Sequence, residues 1–467
     1  MDLAPLATIN VADDRTGMPE PEERRNIVII GGGIIGCTTA YYLTRHPRFD
    51  PSLHTITLLE ATNIACGASG KAGGLLASWA YPTNICGLSF DLHGQLAEEH
   101  NGVEQWGYRR VRCGQLTATA SDKAPRPVYW NNSSILLGKW RRGDWSTPKP
   151  SVLPDDLDWF SAEAAKAYEE IADTSSTAQV HPLQFTKAMA RLASEKGTNI
   201  VLGMVTDINC TITNENASTE GGDDTPAAPR PLSSFADPFQ RVVSVTYTDK
   251  ASGEMKTIPS DTIVLAAGPW TPTLLPGVPI SSLRAHSVTI RPRRPVSAYC
   301  LFTEITLPDT SPPPNKPLDQ TTPEAKKTKS APKTRTLSPE LYARPNNEVY
   351  ICGRGDVDCP LPLTADLVEV STAACAELVT AAAAISDELR DGMVSGRRAC
   401  YLPTMDVGGS GGPLIGNTDV EGLVLAAGHS CWGILNAPAT GKAVSELILD
   451  GEVRCADLGS LDPRKIL

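Results

Sequence analysis

Residues 26–36 read NIVIIGGGIIG, and this stretch decides the fold of the first part of the chain. Its first five residues form a short apolar run, which is typical of a buried parallel strand, and a helix-like stretch follows the glycines as far as Leu43. A second apolar run, residues 55–59, ends in Glu60. Strand, glycine turn, helix, strand and terminal acid in this order predict a βαβ unit that binds a dinucleotide.

The glycines and the acidic residue of such a unit each have a physical role. Gly31 would allow the tight turn, and Gly33 would let the backbone approach a pyrophosphate at the helix N-terminus. Gly36 would let the helix pack closely on the strand, and Glu60 would accept a hydrogen bond from the ribose. The later segment Gly67–Gly74 is not a P-loop, because that motif needs Gly and Ser or Thr where this chain has Ala65 and Ala72.

Composition excludes several classes of protein. The 467 residues carry 42 Lys and Arg against 53 Asp and Glu, a net charge of −11, which argues against binding nucleic acid. With 41% hydrophobic residues the chain is globular, but no apolar run reaches the roughly 18 residues of a transmembrane helix. The 12 cysteines show no CxxC pair or Cys/His cluster suited to zinc, so no metal site is expected. Residues 1–25 predict a disordered leader rather than a signal peptide, which favours a cytoplasmic location.

Beyond the glycine turn the chain resembles the D-amino acid oxidase superfamily of FAD enzymes, especially its glycine oxidase and sarcosine oxidase branch. Four further segments carry the resemblance: the loop Gly67–Gly74, residues 181–205, the strand and turn 262–270, and the C-terminal stretch 413–441. The last contains LVLAAGHSCWGILNAPATG, which resembles the strand, flavin-contacting turn and final helix of that family. The resemblance also extends to a group of fungal FAD oxidoreductases with little assigned chemistry.

The resemblance implies an α/β fold with a Rossmann-like FAD-binding domain and a second, mixed or antiparallel-sheet substrate domain. We expect residues 26–86, 177–270 and 397–455 in the FAD domain, and residues 87–176 and 271–396 in the substrate domain. Residues 214–240 and 308–339 predict flexible inserted loops, because they are rich in Asp, Gly, Pro and Ser or in Pro, Lys and Thr. The second loop is interpreted as the tip of a hairpin between strands at 296–303 and 348–352.

FAD is the cofactor that the resemblance implies, and a pyridine nucleotide alone is disfavoured because no second glycine fingerprint is present. The residues expected to hold FAD are Gly31, Gly33, Ile34, Ile35, Gly36, Glu60, Ala61, Ser69, Lys71, Ala72, Gly73, Gly74, Leu75, Val205, Ala267, Gly268, Trp270, Gly428, Trp432, Gly433, Ile434 and Leu435. Candidates for a catalytic residue are Lys71 and Trp432. Backbone N–H groups at the start of the final helix would stabilise negative charge on the flavin N1/C2 carbonyl.

Cations that the resembling enzymes use for the substrate carboxylate are missing. The matching positions hold Leu402, Cys431 and Leu435. Unless an arginine elsewhere supplies the charge, a hydrophobic or neutral secondary amine, or an N-alkylated compound without an adjacent carboxylate, fits the pocket better. The candidates for that arginine are Arg284, Arg344, Arg354 and Arg398, and each is more simply interpreted as a surface or structural residue.

Several other residues allow two interpretations each. Lys71 either aids O₂ reduction by its charge or contacts only phosphate or solvent. His429 either orders its turn through hydrogen bonds, which is the favoured interpretation, or transfers protons. Cys400 lies one residue short of the slot that carries covalent flavin in sarcosine oxidase-like enzymes, and a small buried thiol is the favoured alternative. Trp79, Trp106, Trp140 and Trp159 either line the substrate pocket or belong to the core.

The expected function is oxidation of a C–N bond in an amine or amino-acid-like small molecule by hydride transfer to flavin N5, with O₂ as acceptor. The alternative is an FAD-binding regulatory or trafficking protein with little turnover, which could bind a protein partner through residues 308–339. A flavin reductase that uses NAD(P)H is less favoured.

Overall fold

The computed structural model describes residues 24–120, 152–212, 229–232, 240–308, 334–406 and 412–467. Its strands are β1 (Arg25–Ile30), β2 (His54–Glu60), β3 (Leu75–Ala77), β4 (Arg109–Arg110), β5 (Arg112–Thr119), β6 (Ala165–Ala172), β7 (Thr177–Gln179), β8 (Thr198–Ile212), β9 (Arg230–Pro231), β10 (Gln240–Asp249), β11 (Met255–Pro259), β12 (Thr262–Leu265), β13 (Ile280–Arg291), β14 (Tyr299–Pro308), β15 (Thr334–Leu337), β16 (Glu340–Arg344), β17 (Glu348–Cys352), β18 (Met393–Met405), β19 (Leu414–Asn417) and β20 (Leu423–Ala427). Its α-helices are α1 (Ile34–Leu43), α2 (Thr83–Glu99), α3 (Gly102–Trp106), α4 (Pro182–Ser194), α5 (Thr271–Leu274), α6 (Thr372–Ile385), α7 (Asp387–Arg390) and α8 (Gly433–Leu449).

The first sheet has the strand order β11-β10-β8-β2-β1-β12-β20-β19, with β9 paired to β8. Its centre is parallel, because β1 pairs in parallel with β2 and β12, and β2 and β12 pair in parallel with β8 and β20. The predicted βαβ unit is therefore β1, α1 and β2 at the middle of the sheet. The carboxyl ends of four of these five parallel strands, β1, β2, β12 and β20, meet at one edge, where open α/β sheets bind their ligands.

The second sheet has the order β18-β13-β17-β16-β14-β5-β6, with β15 paired to β14, and it is antiparallel except for the parallel pair β5 and β14. A third, small sheet joins β3, β7 and β4. The predicted α/β fold with a second, mixed sheet is thus confirmed.

Apolar side chains form a separate core on each face of the two large sheets. Helices α1, α2, α4 and α8 pack together in the largest cluster, with Trp106 and Phe185 fully buried there. Helix α6 covers one face of the second sheet. The opposite face of that sheet carries Tyr342 and Tyr350 and packs against Leu75 and Trp432. This face of the second sheet therefore contacts β3 and the turn that precedes α8.

Several elements differ from the sequence predictions. The predicted boundary at residue 87 falls inside α2, which packs on α8 rather than on the second sheet, because its apolar face continues the first core. Strand β18 pairs with β13, so residues 397–405 belong to the second sheet. The division into domains otherwise stays a prediction.

The hairpin around the second predicted loop also has a different partner. Strand β14 pairs with β15 and β16, whereas β17 pairs with β13 and β16. Parts of both predicted loops form strands, since Arg230–Pro231 pairs with β8 and Thr334–Leu337 pairs with β14. Residues 1–23, 214–228, 233–239 and 309–333 lie outside the described residues. Among the helices described, none is both long and apolar enough to cross a membrane.

Candidate functional site

A cavity of about 520 Å³ lies at the carboxyl ends of β1, β2, β12 and β20. Strand β8 and the segments 361–365 and 402–403 complete its wall. Most of the lining is apolar, and the N-termini of α1 and α8 both reach it. A long cavity that touches two helix N-termini suits a ligand with an anionic end and an aromatic end.

Most of the residues predicted to hold FAD line this cavity: Gly31, Gly33, Ile34, Ile35, Glu60, Ala61, Ser69, Ala72, Val205, Ala267, Gly268, Trp270, Gly428, Gly433 and Ile434. Others lie behind or beside the lining: Gly36, Lys71, Gly73, Gly74, Leu75, Trp432 and Leu435. Leu435 is fully buried in the first core, and Trp432 flanks the cavity and is half-buried. The structure therefore brings the predicted segments together, while the contacts that each residue makes with FAD stay a prediction.

The glycine turn leaves no space for other side chains. Gly31 has a φ of +116°, and a Cβ there would lie 2.3 Å from the carbonyl oxygen of Ala266. A Cβ on Gly36 would lie 2.0 Å from the carbonyl oxygen of Gly31. A side chain at Gly31 would therefore push the turn away from the end of β12, and one at Gly36 would push α1 away from the turn.

Glu60 organises the turn from the end of β2. Its Oε2 accepts a hydrogen bond from Gly32 N–H at 2.8 Å, and its Oε1 accepts from the backbone and hydroxyl of Thr62 at 2.9 and 3.0 Å. Oε2 keeps a lone pair for a ligand hydroxyl. Ser69 Oγ accepts from Ile34 N–H at 2.9 Å, and the first turn of α1 carries no acidic side chain. The turn thus fits a pyrophosphate and ribose.

Helix α8 begins at the other end of the cavity and contains a proline in its second turn. Pro438 has no N–H, so the carbonyl of Ile434 loses its helical partner. His93 Nε2–H on α2 donates to that carbonyl at 2.9 Å. The next N–H and C=O groups along the helix are those of Ala439 and Leu435, and Ser89 Oγ bridges them. It accepts from Ala439 N–H at 3.1 Å and donates to Leu435 O at 2.6 Å. Two side chains of α2 therefore replace two backbone hydrogen bonds of α8.

His93 and His429 are both held neutral by burial. Burial lowers the pKa of His93 to about 4, and the two backbone carbonyls that it contacts partly oppose this. Burial also lowers the pKa of His429 to about 3. His429 Nε2 lies 3.1 Å from Thr440 Oγ1, whose own proton goes to Asn436 O at 2.9 Å, so the imidazole donates. A histidine that stays neutral and bonded in this way orders its turn.

Arg344 holds the loop beside the cavity. Its guanidinium donates to the carbonyl oxygens of Ala72 and Gly73, the latter at 3.0 Å, and to Glu348 Oε1 at 3.1 Å. It also lies 4.4 Å from the ring centroid of Tyr350. All of its faces are engaged, so Arg344 is structural and is not available to a substrate carboxylate.

The other candidate arginines are no better placed. Arg284 is buried and bonded to Asp356 Oδ1 at 2.9 and 3.0 Å. Arg354 is exposed, and neither it nor half-buried Arg398 lines the cavity. Leu402 and Cys431, which stand where the resembling enzymes have cations, both line the cavity.

Lys71 and Cys400 lie close together beside the cavity rather than in its wall. Lys71 Nζ donates to Ala365 O at 3.4 Å. Burial raises the pKa of the Cys400 thiol to about 11, and the charge of Lys71 opposes that shift. A thiol held protonated in this way is a poor nucleophile, which favours the buried-thiol interpretation.

Of the four tryptophans considered for the substrate pocket, Trp106 and Trp159 belong to the core, with 0% and 2% of their surface exposed. Trp79 is 41% exposed, and its ring centroid lies 6.1 Å from that of Trp432. Trp140 lies outside the described residues.

Sequence reasoning missed the lining segment 361–365. Trp270 Nε1–H donates to Pro362 O at 2.7 Å, which fixes this segment over the cavity. The segment is part of a proline-containing loop with no periodic pattern. Tertiary contacts with Trp270 and Lys71 bring it to the site, so no signal in the sequence marks it.

The parallel sheet, the glycine turn and the two helix N-termini at one cavity define a dinucleotide-binding flavoprotein. The sequence profile described as "FAD dependent oxidoreductase", the DAO family, matches residues 26–447. The chain belongs to this family, and its cofactor is FAD. The putative oxidoreductase TDA3 of Saccharomyces cerevisiae is 35% identical to this chain, in an alignment of 521 positions that covers 95% of each chain. A Schizosaccharomyces pombe relative is 32% identical and covers 94% of this chain and 98% of its own.

Solved structures share the fold at low identity. Glycine oxidase from Bacillus cereus superposes with a TM-score of 0.59 at 16% identity, covering 95% of this chain and 100% of its own. L-proline dehydrogenase from P. horikoshii gives 0.60 at 16% identity, covering 95% and 98%.

Proposed function

We propose that this FAD-dependent oxidoreductase oxidises a C–N bond of a small amine or amino-acid-like compound and passes the electrons to O₂. The supporting observation is the α8 turn, where Cys431, Gly433 and Ile434 line the cavity while the Cys431 side chain is exposed to solvent. The flavin-contacting turn of the family therefore adjoins an opening through which a small molecule can enter. The two similar solved structures described above are named for glycine and L-proline, which both contain a C–N bond.

When bound, FAD would accept a hydride at N5 from a carbon next to nitrogen, which leaves an imine that water hydrolyses. This chain's residues would supply position rather than acid or base. The first turn of α8, held by His93 and Ser89, directs its N–H groups toward the cavity and stabilises negative charge there. Neutral His429 keeps the turn in place without moving a proton.

The substrate that fits best is an amine without an adjacent carboxylate. Leu402 and Cys431 stand where the resembling enzymes place cations, and Arg284 and Arg344 are bonded within the protein. No arginine of the described cavity wall is thus available for a bidentate carboxylate contact.

The test is an anaerobic titration of the purified holoenzyme with matched amines and amino acids, with the flavin absorbance as readout. Benzylamine and phenylglycine form such a pair, because they differ only in the carboxylate. We expect bleaching by amines, recovery of the band in air and equimolar H₂O₂. Bleaching only by amino acids would contradict the substrate class, and a flavin that no compound bleaches would favour the regulatory alternative.

A further inference from the structure

A partly accessible carboxylate stands on the face of the second sheet that meets Trp432. Glu340 begins β16, and its Oε2 accepts hydrogen bonds from the Tyr342 hydroxyl and, at 3.8 Å, from the Cys352 thiol. Its Oε1 accepts none from the described residues, although the side chain retains exposed surface. One oxygen of Glu340 is therefore open to a ligand.

No cation of the described chain balances this carboxylate. Burial raises the pKa of Glu340, and the two donors that oppose the shift are the neutral groups of Tyr342 and Cys352. The arginines nearest to this face are bonded elsewhere, Arg109 to Gln179 and Ala343, and Arg344 to Glu348 and the loop carbonyls. An uncompensated carboxylate in such surroundings attracts a positive ligand.

Aromatic rings extend from Glu340 to the surface. Tyr342 contacts Phe302, with ring centroids 6.5 Å apart, and stacks on Tyr350 at 5.9 Å. Trp432 packs against this cluster. Trp79 and Tyr81 then stand nearly perpendicular to Trp432, at 6.1 and 6.0 Å, and both are more than two-fifths exposed. Ring faces bind organic cations.

This carboxylate-aromatic wall, defined by Glu340, Phe302, Tyr342, Trp432, Trp79 and Tyr81, adjoins the cofactor cavity. The Tyr342 ring occupies the space above Gly73, where a Cβ would lie 2.1 Å from it. Cys431 lines the cavity, and its Sγ lies 3.7 Å from the Tyr81 hydroxyl. The charge of Glu340 also contributes to the environment of the Cys431 thiol. A molecule on this wall would thus lie next to the flavin site.

We propose that the carboxylate-aromatic wall binds the substrate as an organic ammonium ion, with its positive charge facing Glu340 Oε1 and its hydrocarbon groups against the rings. Because hydride leaves only from the carbon of a neutral amine, the bound ion first releases one proton to solvent at the exposed end of the wall, where Trp79 and Tyr81 stand. This inference rests on the proposed function and names the group that selects the substrate. An amine bearing a carboxylate beside nitrogen would bring like charge toward Glu340, so the wall discriminates against amino acids.

The test measures binding without turnover. Benzyltrimethylammonium has no lone pair on nitrogen and cannot be oxidised to an imine, so its binding to the holoenzyme can be followed by calorimetry. Benzoate is the anionic counterpart of similar size. We expect the cation to bind at least tenfold more tightly than benzoate, and Glu340→Gln to weaken cation binding at least tenfold, as for loss of a charge-assisted contact. Glu169→Gln, on the exposed edge strand β6, is the matched control and should change nothing.

Tyr81→Leu provides a second variant, because Tyr81 is 50% exposed and its replacement does not disturb the core. It should weaken cation binding several-fold. Tighter binding of benzoate, or equal cation affinity in wild type and both variants, would overturn the proposal. Cation binding by a protein whose flavin no amine bleaches would support the wall and refute amine oxidation. If amines bleach the flavin but Glu340→Gln binds the cation as tightly as wild type, amine oxidation would be supported and the proposed role of the wall refuted.

Discussion

Replacement of His93 by leucine tests the support of helix α8. His93→Leu keeps an apolar side chain against Phe185, whose ring centroid lies 4.8 Å from that of His93, but removes the donor to Ile434 O. Pro438 denies that carbonyl its helical partner, so it would be buried and unpaired. We expect a loss of about 1–3 kcal/mol in the free energy of unfolding at pH 7.5.

The pH dependence of this loss gives a sharper signature. The pKa of His93 is lowered from 6.5 to about 4 in the folded protein, so protonation favours the unfolded chain. Wild-type stability from this residue is complete above pH 6.5 and falls as the pH drops toward 4. At pH 4.5, two units below the unfolded value, wild type would have lost about 3 kcal/mol through His93. The gap between wild type and His93→Leu should therefore close or reverse.

Urea unfolding with FAD in excess, followed by circular dichroism at pH 7.5 and 4.5, measures both numbers. All other histidines titrate equally in the two proteins and cancel in the difference. Ser89→Ala is the matched control, since it removes the second bridging side chain without a titratable group, so its effect should not change with pH. A gap for His93→Leu that is the same at both pH values would refute the reasoning.

Three further predictions concern the loop and the residues beside the cavity. Arg344→Met should weaken FAD binding about tenfold or more, because the carbonyl oxygens of Ala72 and Gly73 lose their hydrogen-bond donor. Fluorescence titration of the apoprotein measures this affinity. Arg344→Lys should bind FAD equally weakly, since one ammonium group cannot replace the several donors of the guanidinium. Acid precipitation should release all flavin to the supernatant, because the Cys400 thiol is protonated, and flavin left in the pellet would establish a covalent bond. Lys71→Met should leave the rate of reoxidation by O₂ unchanged, since Lys71 donates to Ala365 O outside the cavity wall, whereas a fall of tenfold or more would assign Lys71 to oxygen reduction.

The central unit could be predicted because its signals are local. Residues 26–36 place strand, turn and helix within a few residues of one another, and Gly31 and Gly36 stand where the backbone leaves no space. The later segments follow one another in the same order as in the D-amino acid oxidase superfamily, and this order allowed the turn at Gly428 to be predicted. Close backbone approach requires glycine at Gly31 and Gly36, so the motif signals these positions even though the neighbour of Gly31 is the distant Ala266.

Other features depend on partners far away in the chain. The hairpin of β14 was assigned to the strand at 348–352 instead of β15, because antiparallel pairing is chosen by tertiary packing and several short apolar runs qualify. The predicted boundary at residue 87 falls inside α2 for the same reason, since only the contact with α8 shows which core α2 joins. The segment 361–365 is held at the cavity by side chains far away in the chain, Trp270 and Lys71.

The proline in α8 has a consequence for the order in which the protein is made. The carbonyls of Ile434 and Leu435 are satisfied by side chains 341 and 346 residues earlier in the chain. Strand β20, which precedes this helix, also completes a sheet begun by β1. Because residues 428–431 and 433–434 line the cavity, the site that holds the flavin is complete only after β20 and α8 have been synthesised and have packed against β12 and α2.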